Sequence, residues 1–349
     1  FIKLRALNSG AIDINDYLSM NTIRLIKGRF SRFLLDNAIS KVEVSYHKVC
    51  NQIHPTKFTD GKGHPLKQVR ANDLGVQLGG KPPELADQVV DGVADVVWTV
   101  AGYTPGRFPQ AEVFELPFIM TNAEATSRAY WQFAEANMMD TDFAELHMLG
   151  AWVHGPGVIH TNKPITLPAD LNGVKLRAPT RVTNKMFSDL GATAIGMPVP
   201  AVPEALSKGV IDATVIPWEV TGALKIAELV SSHTEFGTDS LYTTSFIFAM
   251  NKDKYDAMPD DLKAIVDAAS GEDFSAFAGK TMQESDAPAR KIAVDRGNTI
   301  TTLTPEQVAE WKAASAAVEA GWIEEMNGRG FDGQALVDQA KALIAKNSM

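Results

Sequence analysis

Between Val174 and Ile216 the spacing of apolar positions switches repeatedly between the strand and helix periods. Val174–Ala178 is a short β-prone run, and Pro179 closes it by holding its neighbour extended. Val182, Met186 and Leu190 then recur four apart, predicting a helix over Arg181–Leu190 that Thr180 caps and Gly191 ends. Thr193–Met197 predicts a strand, Val202–Lys208 a helix opened by Pro203 and stopped by Gly209, and Val210–Ile216 another strand. This βαβαβ order predicts a parallel sheet with helices on its faces. Ligands of such sheets bind off the carboxyl ends of the strands, and Arg177 stands at one such end.

A similar signature occurs earlier. Glu84–Trp98 reads as a helix, then Gly92-Val93-Ala94-Asp95, then an apolar run; Glu204–Val215 repeats the scheme around Gly209-Val210-Ile211-Asp212. Chance likeness of two αβ turns is one explanation, and two lobes of like construction facing a cleft is the other. In the remaining chain, Ile2–Ala6, Val42–Tyr46, Leu149–Val153 and Leu241–Met250 predict strands, and Val158–Thr161 reads as the first segment beyond a hinge. Tyr17–Leu35, Ala123–Glu135, Leu224–Val230, Pro305–Met326 and Gly333–Lys346 predict helices. Asp260–Asp295 is compatible with one long helix, with Ala278-Gly279 as the expected bend.

Composition narrows the class. The chain has 349 residues, enough for two domains with real cores, and 45% hydrophobic and 21% charged residues place it among ordinary globular proteins. A net charge of −9 with no basic patch argues against nucleic acid. No run approaches the roughly 20 apolar residues of a membrane span, so no membrane insertion is expected. The start at Phe1 suggests a mature or trimmed form. The lone Cys50 excludes an internal disulfide, and low cysteine suits periplasm and cytosol alike.

Motifs for catalysis and cofactors fall short. His47, Cys50 and His54 fit no common zinc spacing, and Gly75–Lys81 lacks the Ser or Thr of a phosphate loop because Pro82 follows. There is no GxSxG elbow, HExxH or GxGxxG, so neither an enzyme nor a cofactor is expected. Trp98, Thr99 and Tyr103 follow a strand end and are candidates to line a cleft, although buried aromatic packing is the ordinary alternative. His154, bracketed by Gly155-Pro156-Gly157, is either a loop residue or a ligand donor.

From about Leu74 to Ala269 the chain resembles the DctP-like periplasmic solute-binding proteins of tripartite ATP-independent periplasmic (TRAP) transporters. The blocks that carry the resemblance are QLGGKPPELADQVVDGVADV, FPQAEVFELPF, ADLNGVKLRAP, LGATAIGMPVPAVPEALSKGVIDA and NKDKYDAMPDDLKAIVDAA. The resemblance implies an α/β periplasmic-binding-protein fold, with two βαβ lobes, hinge strands and a long bracing helix. Lobe 1 is expected over 1–153 with about 240–275, lobe 2 over 154–239, the bracing helix over about 260–296 and terminal helices over 300–349. It implies a periplasmic protein that performs no chemistry and hands a small carboxylate to a membrane permease. Residues 1–73 do not follow the family's usual opening.

In this family an arginine of a KxR block pairs with the substrate carboxylate, and Arg177 of Lys175-Leu176-Arg177 falls on it. A guanidinium fork suits a carboxylate through two parallel hydrogen bonds. The second arginine of many members is replaced here by the His154-Gly155-Pro156-Gly157 region, and an asparagine of those members by Val215-Ile216-Pro217-Trp218. The expected site is therefore Arg177 on the carboxylate, with Trp218, Trp152, Tyr103 and Trp98 as an aromatic wall. Asn184 and His154 are expected as polar tuners and Arg181 as positive potential at a helix start. An aromatic monocarboxylate such as a benzoate fits this balance. The alternative is a 2-oxo acid or uronate with a bound cation, for which Trp218-Glu219 supplies the weak metal candidate Glu219; an α/β enzyme acting on a carboxylic acid is the remote one.

Overall fold

The computed structural model describes residues 81–349 and two earlier strands, β1 (Val42–Tyr46) and β2 (Lys67–Asn72). The expected elements at Ile2–Ala6 and Tyr17–Leu35 and the His47, Cys50 and His54 group lie outside the described residues. The first sheet continues with β3 (Val96–Val100), β4 (Leu146–Val153) and β10 (Ser245–Asn251), in the order β1-β2-β3-β10-β4. The second contains β5 (Gly157–Thr161), β6 (Lys175–Ala178), β7 (Thr193–Gly196), β8 (Ala213–Pro217), β9 (Ser232–Glu235) and β11 (Thr299–Thr302), in the order β11-β9-β5-β8-β6-β7. As the alternating pattern predicts, β6 runs parallel to both β7 and β8. In each lobe one strand runs against its neighbours: β10 between β3 and β4, and β5 between β8 and β9. The chain crosses between sheets at 154–156 and again at 236–244.

Twelve α-helices lie among the described residues: α1 (Leu85–Val90), α2 (Ala123–Asn137), α3 (Arg181–Asp189), α4 (Val202–Ser207), α5 (Trp218–Leu224), α6 (Ile226–Leu229), α7 (Lys252–Asp256), α8 (Asp260–Ala268), α9 (Glu272–Glu284), α10 (Asp286–Asp295), α11 (Pro305–Gly328) and α12 (Gly333–Asn347). Gly92 and Gly209, the glycines of the repeated signature, end α1 and α4 at φ +69° and +66°, a region costly for residues with a Cβ. Thr180 caps α3 as expected, its hydroxyl accepting from the Thr183 N–H.

The expected single long helix over 260–296 is three helices. Gly271, at φ +91°, separates α8 from α9. Pro288 lacks an N–H and its ring clashes with the carbonyl four residues back, Glu284, which is where α9 ends. The expected bend at Gly279 does not occur. Gly279 instead admits α2: a Cβ there would meet Ser127 Oγ at 2.1 Å and the Ala123 carbonyl at 2.5 Å. The break has a structural use, because α9 packs on α2 in the first lobe while α10 packs on α5 in the second.

The edge strand β4 is held by these helices. Ser275 Oγ of α9 accepts from the Ala151 N–H at 2.9 Å, and Ser127 Oγ of α2 from the Val153 N–H at 2.9 Å. Occupied edge groups are closed to further strand pairing. They also fix the end of β4, where His154 enters the crossing.

Candidate functional site

Arg177 lies at the carboxyl end of β6 and is 1% exposed. Its Nε donates to the Met197 carbonyl at 2.9 Å and its Nη1 to the Val215 carbonyl at 3.0 Å, so the ends of β7 and β8 steer the guanidinium. Nη2 reaches the Tyr103 hydroxyl oxygen at 3.5 Å, across from the first lobe. All three partners are neutral oxygens. A buried cation without a counter-charge is costly, and an incoming anion relieves that cost.

Tyr103 joins this charge to an aromatic surface. Its oxygen accepts from the Val199 N–H at 2.9 Å, while its ring belongs to the apolar cluster of Trp98, Trp152 and Phe246. Trp98 and Trp152 stack with centroids 6.0 Å apart and planes 15° apart. Phe246 completes the stack at 5.6 Å from Trp98 and 5.9 Å from Trp152. His154 meets Phe246 edge-on at 6.1 Å. Nδ1 of His154 faces the Gly155 carbonyl at 2.5 Å and therefore carries the proton; Nε2 then accepts from the Thr244 hydroxyl at 2.9 Å. Burial pushes His154 down to about 4, with the Arg177 charge acting the same way, so the ring is neutral. Both ring nitrogens are engaged within the protein, which makes His154 a wall of the crossing rather than a free tuner.

The structure thus brings together Arg177, Tyr103, Trp98, Trp152 and His154, while the other expected residues are engaged with partners of their own. Arg181 pairs with Glu112 of the first lobe and, at 2.6 Å, with Glu325 of α11. Its charge is neutralised there, and Trp322 Nε1 donates to the same Glu112. Asn184 Nδ2 donates to the Thr180 carbonyl at 2.7 Å and so serves the first turn of α3. Trp218 Nε1 donates to Glu235 at 2.7 Å, and its ring packs on His160 and His233. Those histidines form a relay whose tautomers follow from its ends. His160 Nε2–H faces the Ile216 carbonyl and Asn298 Nδ2 donates to His233 Nε2, so His233 Nδ1–H donates to His160 Nδ1 at 2.7 Å.

Glu219 lies in the first turn of α5, its N–H donating to Asp286 Oδ1 at 2.8 Å. Asp286 in turn lies against Gly155, where a Cβ would meet its Oδ2 at 2.1 Å. Among the described residues no group of three or more His, Cys, Asp or Glu side chains is arranged to hold a metal ion. Burial pushes Glu219 up from 4.5 to about 8, with the Asp286 charge adding to it. Burial likewise pushes Asp286 up from 3.8 to about 7, against the Glu219 N–H and with the Glu235 charge. Both groups hold protons in the folded protein that the unfolded chain has released. Their contribution to stability is therefore complete below about pH 4 and is lost as pH rises towards about 8. Urea midpoints measured between pH 7 and 8.5, above the range in which the buried histidines act in the opposite sense, should fall with pH, and Glu219→Gln should flatten that slope. An unchanged slope in the variant would remove Glu219 from this account.

Comparison with known proteins adds the family. A family model described as bacterial extracellular solute-binding protein, family 7, matches residues 75–325. The chain belongs to this family. A TRAP solute-binding protein from Rhodoferax ferrireducens T118, solved with copurified benzoate, is 47% identical and superposes with a TM-score of 0.78 over 82% of this chain and 89% of that one. A marine metagenome TRAP solute-binding protein specific for aromatic acid ligands, solved with 3-hydroxybenzoate, is also 47% identical, with a TM-score of 0.78 over 83% and 89% of the two chains. The ectoine-binding periplasmic protein TeaA of Halomonas elongata is 28% identical over 81% of this chain and 82% of its own. A 73-residue stretch, 21% of the chain, is 48% identical to 8% of the Escherichia coli type III restriction-modification enzyme EcoP15I Res subunit. This family 7 chain is thus a TRAP solute-binding protein with the two-lobed α/β fold, and among its described residues no helix is long and apolar enough to cross a membrane.

Two buried aromatic residues packed around His154 escaped the sequence reading of this solute-binding protein. Phe246 and Tyr242 both sit in LYTTSFIFAM, read as one strand over Leu241–Met250. The strand begins only at Ser245, which leaves Tyr242 on the crossing. Phe246 had a usable signal. It alternates with Phe248, and its register partners are Trp152 on β4 and Val100 on β3.

Proposed function

We propose that this protein captures a small aromatic monocarboxylate between its lobes in the periplasm and passes it, chemically unchanged, to a TRAP permease. The observation that carries this reading is Arg177, a buried guanidinium with only neutral partners, next to stacked Trp98, Trp152 and Phe246. The guanidinium fixes the carboxylate through charge-assisted bonds, and the indole and phenyl faces receive a ring. The benzoate and 3-hydroxybenzoate of the two similar structures have this chemistry. The 2-oxo-acid arrangement gains no such support, since Trp218 and Glu219 engage Glu235 and Asp286.

Closure follows from the placement of the groups. Arg177 belongs to the lobe over 154–239 and Tyr103 to the lobe over 1–153 with about 240–275, so a carboxylate held by both favours the closed arrangement by its differential affinity. The test is a thermal-shift and calorimetric panel of benzoate, 3-hydroxybenzoate, benzamide, succinate and pyruvate. Benzoate at a hundred times its Kd should add about 2.7 kcal/mol of stability, while benzamide and succinate add none. A response confined to succinate or pyruvate would overturn the aromatic assignment.

A further inference from the structure

Tyr242 lies on the segment 236–244 that returns the chain from the second sheet to the first. It is 1% exposed, and its hydroxyl has no hydrogen-bond partner among the described residues. A buried hydroxyl without a partner costs stability, so one held rigidly in place calls for a use. The residue is pinned on both sides. Its carbonyl accepts from the Gly157 N–H at 3.0 Å and from Ser240 Oγ at 2.9 Å. Its ring lies flat against Gly157, where a Cβ would come within 2.0 Å of Cε1, and it meets His154 edge-on at 5.6 Å.

This position faces the charge of the site. Gly157 pairs with Pro217 of β8, two residues beyond Val215, whose carbonyl holds Arg177. The Arg177 charge acts on the phenol, as do Tyr103 and Glu115. Burial outweighs the Arg177 charge and pushes the phenol upward, so the group stays protonated and can donate. Tyr103 also has a donor to spare: its oxygen accepts from Val199 and Arg177, and its hydroxyl hydrogen has no acceptor among the described residues. Arg177 itself has five N–H donors, of which the protein engages three.

We infer that Tyr242 is a ligand-binding residue, its hydroxyl donating to the same carboxylate that Arg177 and Tyr103 hold. This rests on the proposed capture of an aromatic carboxylate and adds who completes the cage. One donor comes from each lobe and one from the crossing, and an ionised carboxylate has acceptor sites for all of them. The carboxylate thereby becomes the group that joins the two lobes to their hinge. A ligand with a neutral amide in its place offers one acceptor oxygen and brings extra donors into a site made of donors.

Tyr242→Phe keeps the ring against Gly157 and removes only the hydroxyl. It should weaken benzoate binding by about 10- to 100-fold in calorimetry, the usual range for a hydrogen bond to a charged group. The unliganded variant should unfold at the same urea concentration as the wild type or a higher one, because an unpartnered buried hydroxyl has been removed. Benzoate affinity within threefold of wild type, in a protein whose Arg177→Met variant has lost binding, would overturn this inference and leave the proposed function standing. A lower unfolding midpoint in the unliganded variant would show that the hydroxyl serves the fold, and would overturn it as well. If the wild type binds no aromatic acid, both readings fall together.

Discussion

Arg177→Met should reduce benzoate affinity by about 30- to 1000-fold, the largest effect on binding of any single change in this protein. Methionine has a similar reach and retains the apolar contacts of the stem, but it supplies neither charge nor donors. The carboxylate would then enter a buried site with only the tyrosine hydroxyls to meet it, and most of its hydration would go unreplaced. Arg177→Lys should fall between the two proteins. It keeps the charge but not the planar fork that reaches Met197, Val215 and Tyr103 together. Calorimetric titration of the three proteins against benzoate, at one ionic strength, makes the comparison. Retention of wild-type affinity within threefold in Arg177→Met would place the carboxylate elsewhere.

Trp152→Ala should cost about 3–5 kcal/mol of folding stability, the range for removing a large aromatic side chain from a packed core. Trp152 is 1% exposed and contacts Trp98, Phe246, Phe248 and Phe274, with centroids 5.9 to 6.4 Å away. Its Nε1–H also reaches Met282 Sδ at 3.1 Å on α9. The indole therefore couples the first sheet to the helix that covers it, and the hole it leaves is bounded by β-strands that cannot readily collapse inward. Urea unfolding gives the readout. A loss under 1 kcal/mol would mean that the indole carries little of the packing between the first sheet and α9.

What the sequence disclosed follows the range over which its signals act. The βαβαβ unit was legible because periodicity, Thr180, Pro179 and Gly209 all act within a few residues of the elements they define. Arg177 was legible for the same reason, as a strand-end residue within a matched block. Arg181 was misread because its partners Glu112 and Glu325 lie 69 and 144 residues away, beyond any local pattern. The partner of Trp218 was equally out of reach, since the helix start that carries it turns the indole N–H to Glu235, outside the βαβαβ run. The break in the long helix was present in the sequence as Pro288, and weighting the more central Gly279 hid it.

The pairing of Arg181 with Glu112 has a bearing on the empty receptor. It links the second lobe to the first, with Glu325 and Trp322 of α11 gripping the same pair, and Glu112 is only 4% exposed on its side chain. Parting the two lobes at this point would break a charge pair within the chain, in addition to any contact made through a solute. Because Arg181 and Glu325 retain 29% and 38% side-chain exposure, dissolved ions reach this tie and weaken it. Raised salt should therefore loosen the exposed Glu325 side of this tie and leave the buried Glu112 side largely intact.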